Sequence, residues 1–584
     1  MENNTRQHLL NASPAFLLSL VFGLAALPDV VGGQLLNPDS AMRLVRLEAI
    51  LRAGAPLSVV ARDGSGTLLQ WSHLLDSLLI CLAGPAALFL GWHHALATMA
   101  PLVGPLSMAA LGAALAWASR PYAAPQWRLA GSVMICLSPV IMNYGLPGVV
   151  HHHVLLAVVA VMAGGSAMRI VQAREPGTAA AIGLGAWVGV GAWLSPESVP
   201  LGLMAICLVW LAWLRQPQPA LARALAIMGA TLFLVTAAAF LVDPPAGAPM
   251  APEQDRISIV FVSLAAAIAL GGAGAALGLS RVRAVAFCGG MAAAWLSDFP
   301  ALLAGTDGLL PPGMAHVFFD GIVEMRPVGS LHAAVADLAP AAIAGIWLAV
   351  LGLRRQSVLF VYGAACAAIM VVAGAMHVRF ATYPATFAAA MLPVALTQLS
   401  ASRLRAVALA LALLLPRAGD FIADGRAATA AVVDGEAATA AVVDGRAAAA
   451  AVRTCSTRGV AGLLAAHPGQ VVLGDVNDTP DLLWHTQVRT VGSLYHGSPE
   501  GFMRLRAAWL SPPGLAMPPA VARTGATLVL ACPGAALPNF VDDASAPSLV
   551  AALQAGRVPP WLHRLGQADA GGLVLYAADR TASP

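Results

Sequence analysis

The chain has 584 residues, of which 59% are hydrophobic and only 10% are charged, and its mean hydropathy is +0.76. This balance excludes a water-soluble globular protein, because lipid can cover that much apolar surface and a soluble core cannot. The composition therefore predicts a polytopic α-helical membrane protein whose first partner is the bilayer. The formal net charge of +3 carries little information by itself, and we predict no nucleic-acid partner.

Thirteen apolar windows have the length needed to cross a bilayer, about 17–25 residues. A further stretch at 74–91 is interrupted by Asp76 and Gly84-Pro85, and we interpret it as an interfacial or re-entrant helix. No small-residue cleavage site follows the first window, which predicts an uncleaved first span. The thirteen windows are 14–32, 95–118, 129–146, 154–170, 178–196, 198–214, 222–242, 257–279, 284–304, 337–353, 357–376, 380–399 and 406–420.

Basic residues distinguish the two faces of this topology. With the N-terminus inside, every short inside loop is basic, as the positive-inside rule requires, whereas counting 74–91 as a span would reverse that pattern. The outer face receives the loops 33–94, 147–153 and 305–336, with almost all acidic residues and histidines. We predict an inner (cytoplasmic) membrane of bacterial type, with the chemistry on its outer face. The inside pairs are Arg120 and Arg128, Arg169 and Arg174, Arg215 and Arg223, Arg281 and Arg283, Arg354 and Arg355, and Arg403 and Arg405.

The chain after the last window divides into a linker and a domain. Ala427–Glu436 recurs nearly unchanged as Ala437–Arg446, so 421–452 is interpreted as a duplicated Ala-rich linker between a transmembrane domain, 1–420, and an outer (periplasmic) domain, 453–584. Short apolar runs at 471–474, 488–491 and 526–531 predict buried strands of a small α/β domain. Cys455 and Cys532 lie in this domain, where a disulfide is allowed but not implied.

Three consecutive histidines, His151-His152-His153, stand between two apolar runs at the edge of the bilayer. Imidazoles are costly there, and neutral imidazole binds divalent metals well. A helix entry predicts that His151 and His153 share one side while His152 points away. A polar cap at the end of a span is the alternative to a metal site.

Three other positions on the same face carry candidate chemistry. Asp39 either caps a helix at 40–53 or joins the histidines at a metal. Glu324 lies in an apolar part of the 305–336 loop, where a salt bridge is the alternative. Arg379 and Tyr383 begin a span at the outer surface; the guanidinium suits phosphate, and headgroup anchoring is the alternative.

The order and common face of these features resemble the catalytic subunit of oligosaccharyltransferases, within the GT-C class of membrane glycosyltransferases. The resemblance covers nearly the whole chain, from the long first outer loop to the outer C-terminal domain. Asp39 matches the family's first-loop metal Asp, and His151-His152-His153 occupies its second-loop metal pattern. Ile322-Val323-Glu324 resembles the fifth-loop motif, and Arg379-Phe380-x-x-Tyr383 resembles the motif near the donor phosphate.

Two departures separate this chain from that family. His151 stands where relatives keep an acid, and the Trp-Trp-Asp motif that reads Asn-x-Ser/Thr acceptors is missing. Only Asp475, at the end of the first predicted strand, aligns with that motif. The resemblance therefore implies transfer to another acceptor, such as a glycan, a lipid or a cell-envelope polymer.

The resemblance also implies roles for individual residues. Asp39 and Glu324 are assigned to catalysis, and Arg379 and Tyr383 to the phosphate of a polyprenyl-linked sugar donor. A divalent cation, Mg or Mn, with Zn or Fe as alternatives in so His-rich a site, would be held by Asp39, His151 and His153. Further candidates for the pocket lining are His152, Glu197, Asp255, Arg256, His73 and Asp475.

Two other functions compete with the glycosyltransferase. A transporter or flippase of lipid-linked sugars would also have many spans, but it should carry charges or broken helices at mid-membrane. A glycosyltransferase relative that has lost activity is the third hypothesis, with His151 as the sign of that loss. The span centres are nearly free of charge, which favours the enzyme.

Overall fold

A computed structural model of the chain describes residues 2–53, 69–173, 176–245, 248–310, 314–319, 322–329 and 331–399 and, with short gaps, 455–579. The predicted span at 406–420 and the predicted linker at 421–452 lie outside the described residues.

The part before residue 400 is helical. Single turns at Pro125–Trp127, Pro196–Ser198, Val323–Met325 and Val378–Ala381, a longer 3-10 segment at Pro300–Leu309 and a π-helical turn at Ala334–Leu338 join the helices. The helices are α1 (Glu2–Phe22), α2 (Leu27–Val31), α3 (Pro38–Ala53), α4 (His73–Leu90), α5 (Trp92–Ser119), α6 (Ala130–Cys136), α7 (Pro139–Gly145), α8 (His153–Gln172), α9 (Thr178–Leu194), α10 (Val199–Arg215), α11 (Pro219–Val242), α12 (Ile259–Ala276), α13 (Arg281–Asp298), α14 (Met314–Phe319), α15 (Leu331–Ala333), α16 (Ala339–Arg355), α17 (Val358–Met376) and α18 (Thr382–Leu399).

The helices confirm the polytopic membrane fold. Within the described ranges, nine helices are long and apolar enough to cross a membrane by length and composition, and α9 and the Asn11–Phe22 part of α1 are shorter apolar helices. The predicted span 129–146 is divided into α6 and α7. The break falls at Ser138-Pro139, because the residue before a proline is driven out of helical geometry.

Helix α4 meets the length criterion for a span, yet α3 contacts both of its ends. Near the start of α4, Asp76 pairs with Arg43 of α3 at 2.9 Å. Just beyond its end, His93 lies 3.4 Å from Glu48 of the same helix. The interfacial position of this stretch stays a prediction.

Glycines let neighbouring spans approach closely. A Cβ atom at Gly229 of α11 would lie 2.7 Å from the Cα atom of Ala269 in α12, and one at Gly185 of α9 would meet the backbone of α11 at Met228. In a membrane, where burial of apolar surface does not drive helix association, such close backbone packing does. The bundle of α9, α11 and α12 therefore depends on small residues.

The C-terminal domain is a five-stranded mixed sheet of order β2-β1-β3-β5-β4, in which β1 is parallel to β2 and β3, and β5 is antiparallel to β3 and β4. This confirms the three predicted strands and adds two that the sequence pattern did not indicate. A disulfide joins Cys455 to Cys532, with Cα atoms 5.7 Å apart. The strands are β1 (Val471–Leu473), β2 (Arg489–Thr490), β3 (Leu528–Ala531), β4 (Leu562–Gln567) and β5 (Val574–Ala578); the helices are α19 (Val460–Leu464), α20 (Thr479–His485), α21 (Pro499–Trp509), α22 (Pro519–Thr524) and α23 (Leu549–Gln554).

Candidate active site

The first outer loop and the His loop are tied together at the start of α3. The side chain of Asn37 accepts a hydrogen bond from the Ser40 N–H at 2.8 Å, so Asn37 caps α3 and Asp39 does not. The Ser40 hydroxyl in turn accepts from the Val150 N–H at 2.8 Å. Gly148 has a φ of +83°, and a Cβ there would lie 2.7 Å from Val30, so only glycine fits this turn. The histidines are therefore held beside Asp39.

All three imidazoles of the His cluster, His151-His152-His153, are buried, with 4%, 7% and 2% of their surfaces exposed. One ring nitrogen of each lies within 4.8 Å of the other two. The prediction that His152 points away was wrong. The backbone turns at His152, with φ −90° and ψ −12°, before α8 begins, and the His152 ring stacks on that of His151.

Asp39 joins the His cluster to the C-terminal domain. One carboxylate oxygen lies 3.1 Å from His151 Nε2. The other accepts a hydrogen bond from the Tyr495 hydroxyl at 2.9 Å. Tyr495 lies just after β2. The C-terminal domain therefore contributes a side chain to the site.

Glu197 lies at the centre of the second half of the site. Its carboxylate is 3.1 Å from His153 Nδ1, forms a short ion pair with Arg379 and accepts from the Tyr383 hydroxyl at 3.3 Å. The sequence placed Glu197 only among candidates for the pocket lining. Its position at a helix start in the chain gave no indication of these distant partners.

Glu324 completes the group, with its carboxylate 3.8 Å from His153 Nε2. Its loop is held against the start of the last described span: the Val378 N–H donates to the Arg326 carbonyl at 3.0 Å, and His377 Nδ1 lies 2.6 Å from the Met325 carbonyl. Tyr144, which the sequence did not indicate because it lies in an apolar window, packs edge-on against His153, with ring centroids 4.4 Å apart.

Charge and burial inside the site favour an ionised Glu324 and neutral imidazoles at His151 and His152. Burial alone would raise the pKa of the Glu324 carboxyl, but His153, His151 and Arg379 together outweigh burial and lower that pKa. Burial lowers the pKa of His151 and lowers that of His152 well below its ordinary value. Both imidazoles are thus in the form that binds metal at neutral pH.

The donor set fits a divalent cation. His151 Nδ1 and His153 Nε2 are buried and have no hydrogen-bond partner in the described part of the chain. Buried polar atoms without a partner are rare and need an explanation, of which an absent ion is one. The Glu324 carboxylate lies 3.8 Å from His153 Nε2, and the Asp39 carboxylate lies 3.1 Å from the other nitrogen of the His151 ring, so the charge of a cation would be balanced locally.

The remaining predicted residues lie around this group and not within it. His73 and Arg256 both bind the carboxylate of Asp243 at the end of α11, His73 Nδ1 at 2.7 Å. Asp255 pairs with His496 of the C-terminal domain at 2.7 Å. Asp475 accepts from the Asn477 N–H at 2.9 Å, within its own turn. All four hold loops or the domain in position.

No protein-family model and no curated protein matches the sequence. Solved structures do match its fold. The archaeal oligosaccharyltransferase AglB from Archaeoglobus fulgidus, in complex with an inhibitory peptide and a dolichol-phosphate, superposes with a TM-score of 0.60 at 13% identity, over 100% of this chain and 75% of that one. A structure of the Archaeoglobus fulgidus enzyme in complex with Zn and sulfate gives 0.57 at 12% identity, over 94% and 70%. The enzyme tethered with an acceptor peptide gives 0.55 at 14%, over 99% and 74%. The chain therefore has the oligosaccharyltransferase-like GT-C fold, a multi-pass helical membrane domain followed by a small C-terminal sheet domain.

Proposed function

We propose that this protein is a membrane glycosyltransferase that moves a sugar or oligosaccharide from a polyprenyl-(pyro)phosphate donor to an acceptor at the outer face of the membrane. The observation that carries the proposal is that five candidate residues lie together in the structure. Asp39, His151, His153, Glu324 and Arg379, which come from four distant parts of the chain, meet in one contiguous group on a fold shared with oligosaccharyltransferases.

Arg379 is the residue that we assign to the donor phosphate. Its guanidinium pairs with Glu197 on one side, while its Nε–H is buried with no hydrogen-bond partner among the described residues. A phosphoryl oxygen is a suitable acceptor for that N–H, since guanidinium N–H groups and phosphate form strong charge-assisted bonds. The Tyr383 hydroxyl, on the same carboxylate, would help to keep Arg379 in place.

The divalent cation would be held by Asp39, His151 and His153. Each of them would either bind the cation directly or orient another of the three that binds it. When bound, such a cation supplies electrostatic stabilisation for the negative charge that develops on the leaving phosphate. Mg or Mn would match relatives with acidic second loops, and Zn or Fe would match this His-rich loop.

Glu324 is the residue that we assign to the acceptor. Its lowered pKa keeps it ionised, so it accepts a hydrogen bond from an acceptor hydroxyl or amine and orients it for attack. A carboxylate with a lowered pKa is a weak base. We therefore assign Glu324 to positioning the acceptor and not to removing its proton. Without a Trp-Trp-Asp motif near Asp475, we assign the acceptor to the glycans, lipids or cell-envelope polymers and not to Asn-x-Ser/Thr peptides.

Two features support an outer location for the site. The disulfide of Cys455 and Cys532 is typical of an oxidising compartment such as the periplasm. The domain that carries it contacts the site through Tyr495 and Asp39. Together with the basic inside loops, they support a periplasmic location for the site and the C-terminal domain at an inner membrane.

Sugar transfer tests the proposal directly. The full-length protein in membranes is mixed with a radiolabelled polyprenyl-linked sugar, and the labelled product is identified. We expect transfer that disappears in Asp39→Ala and His153→Ala and persists in the matched control His94→Asn, an exposed histidine outside the site. If both site variants keep wild-type metal binding and transfer, the site is wrong. Metal binding without transfer would favour the inactive relative, and donor translocation without transfer would favour a flippase.

A further inference from the structure

We propose that the metal is bound by three imidazoles, those of His151, His152 and His153, and that the site selects a borderline transition metal such as Zn²⁺ over Mg²⁺ and Mn²⁺. In this arrangement the carboxylates of Asp39 and Glu197 orient two of the imidazoles. The inference rests on the metal site of the proposed function and specifies its ligands and its metal class.

His153 has the arrangement of a metal-binding histidine. Its Nδ1 lies 3.1 Å from the Glu197 carboxylate, which draws the ring proton to that nitrogen. The lone pair is then on Nε2, which is buried with no hydrogen-bond partner among the described residues and lies 3.8 Å from the Glu324 carboxylate. Metal-binding histidines nearly always give their other ring N–H to a carboxylate or a carbonyl, which fixes the tautomer and the ring orientation.

His151 repeats this arrangement with the nitrogens exchanged. Its Nε2 lies 3.1 Å from the Asp39 carboxylate, and its Nδ1 is buried without a partner. Two neighbouring histidines are thus each oriented by a carboxylate from another part of the chain, with the opposite nitrogen available. Chance burial of two polar rings does not account for such a repeat, because each free nitrogen costs desolvation energy.

The two carboxylates are already occupied on both oxygens. Asp39 binds His151 with one oxygen and Tyr495 with the other. Glu197 contacts His153 with one oxygen and pairs with Arg379 through the other. A carboxylate engaged in this way is a better orienting group than a ligand, which leaves the imidazole nitrogens as the principal donors.

His152 supplies the third nitrogen. Its ring stacks on His151, with centroids 4.6 Å apart, and a nitrogen of each ring of the His cluster lies within 4.8 Å of the others. Imidazole donors suit Zn²⁺, Ni²⁺ and Fe²⁺, whereas Mg²⁺ and Mn²⁺ prefer carboxylate and water oxygens. Three protein nitrogens with an open position are also the ligand pattern of catalytic zinc.

Metal binding without any sugar donor tests the inference. The full-length protein, purified without a histidine tag, is stripped with a chelator and titrated with Zn²⁺, Mn²⁺ and Co²⁺, with the visible absorption of Co²⁺ reporting nitrogen ligation. We expect one equivalent of Zn²⁺ bound at least 100-fold more tightly than Mn²⁺, following the order of intrinsic affinities and the nitrogen donors. His151→Asp, which introduces the acid found in relatives, should shift the preference towards Mn²⁺.

Two variants separate ligands from orienting groups. Asp39→Asn should weaken Zn²⁺ binding by about 10–100-fold, the usual effect of removing an orienting partner. His152→Asn should weaken it more and abolish the Co²⁺ absorption, while the control His94→Asn leaves both unchanged. Equal binding of Mn²⁺ and Zn²⁺, or unchanged Zn²⁺ binding in His152→Asn, would overturn the inference. Because the titration needs no sugar transfer, a wrong metal class and a wrong proposed function give different results.

Discussion

Glu197 is the single residue whose change should disturb both halves of the site. Its carboxylate contacts His153, Arg379 and Tyr383, and only 13% of its side-chain surface is exposed. Glu197→Gln keeps the size of the side chain and removes its charge. The partly buried Arg379 guanidinium then lies beside a neutral amide, and His153 loses the group that sets its tautomer.

The structure sets the size of this effect. Loss of a buried charge-assisted hydrogen bond costs about 1.5–3 kcal/mol, and we expect the free energy of unfolding to fall by about that amount. A displacement of the Arg379 and His153 side chains by about 1 Å should lower kcat/KM about 100-fold. That factor corresponds to about 2.7 kcal/mol of transition-state stabilisation.

Two measurements on one preparation separate folding from function. Thermal unfolding reports stability, and transfer of a radiolabelled sugar reports kcat/KM with the KM for the donor. The matched control is Glu48→Gln, because Glu48 pairs with the exposed Arg52 at 2.6 Å and with His93, outside the site. The Glu48 side chain is 11% exposed, so this variant should also lower the free energy of unfolding, but it should keep its kcat/KM because its partners lie outside the site. A Glu197→Gln protein with wild-type kcat/KM and Zn²⁺ affinity would refute the central role of Glu197.

Three further predictions concern the C-terminal domain. Tyr495→Phe removes the hydrogen bond to Asp39 and should lower kcat/KM about 10-fold, or about 1.4 kcal/mol, with a small fall in Tm; a kcat/KM within twofold of wild type contradicts it. Replacing Cys455 and Cys532 by serine opens a loop with a sequence separation of 77 residues and should destabilise the domain by about 4 kcal/mol in denaturant unfolding, whereas a loss below about 1 kcal/mol would argue against the bond. Burial raises the pKa of Asp481 to about 6. A raised folded-state pKa stabilises the domain fully below about pH 4 and loses that contribution as the pH rises through 6. Asp481→Asn should therefore raise the Tm at pH 8 and leave it nearly unchanged at pH 4, and equal shifts at both pH values would contradict the assignment.

Most of the candidate site was visible in the sequence because its residues stand where they are locally costly. Three histidines at the edge of the bilayer, an Arg at the start of a span and an acid in an apolar loop all need partners. The structure brings His151, Arg379 and Glu324 into one group with Asp39 and His153. Four pocket-lining candidates were equally polar, but their hydrogen bonds hold loops or the C-terminal domain in position. They are His73, Arg256, Asp255 and Asp475.

Glu197 and Tyr495 show where sequence reasoning ends. Glu197 follows a proline at a helix start, where an acid is already explained by the helix, and its partner Arg379 lies 182 residues away. Tyr495 meets Asp39 across 456 residues. No local pattern reports a contact of that separation. The direction of His152 was predicted wrongly for a related reason, since the turn before α8 depends on Gly148 packing against Val30.

The sequence by itself determined the polytopic membrane fold, and it predicts the face on which the polar residues gather. Hydropathy is a property of a single helix and charge bias a property of a single loop, so both can be measured from the sequence alone. Only the tertiary structure decided the pairing of β4 and β5 and the carboxylates that lie beside His151 and His153. Those features depend on which distant segments meet, and a buried polar atom is satisfied only by the partner that the whole fold brings to it.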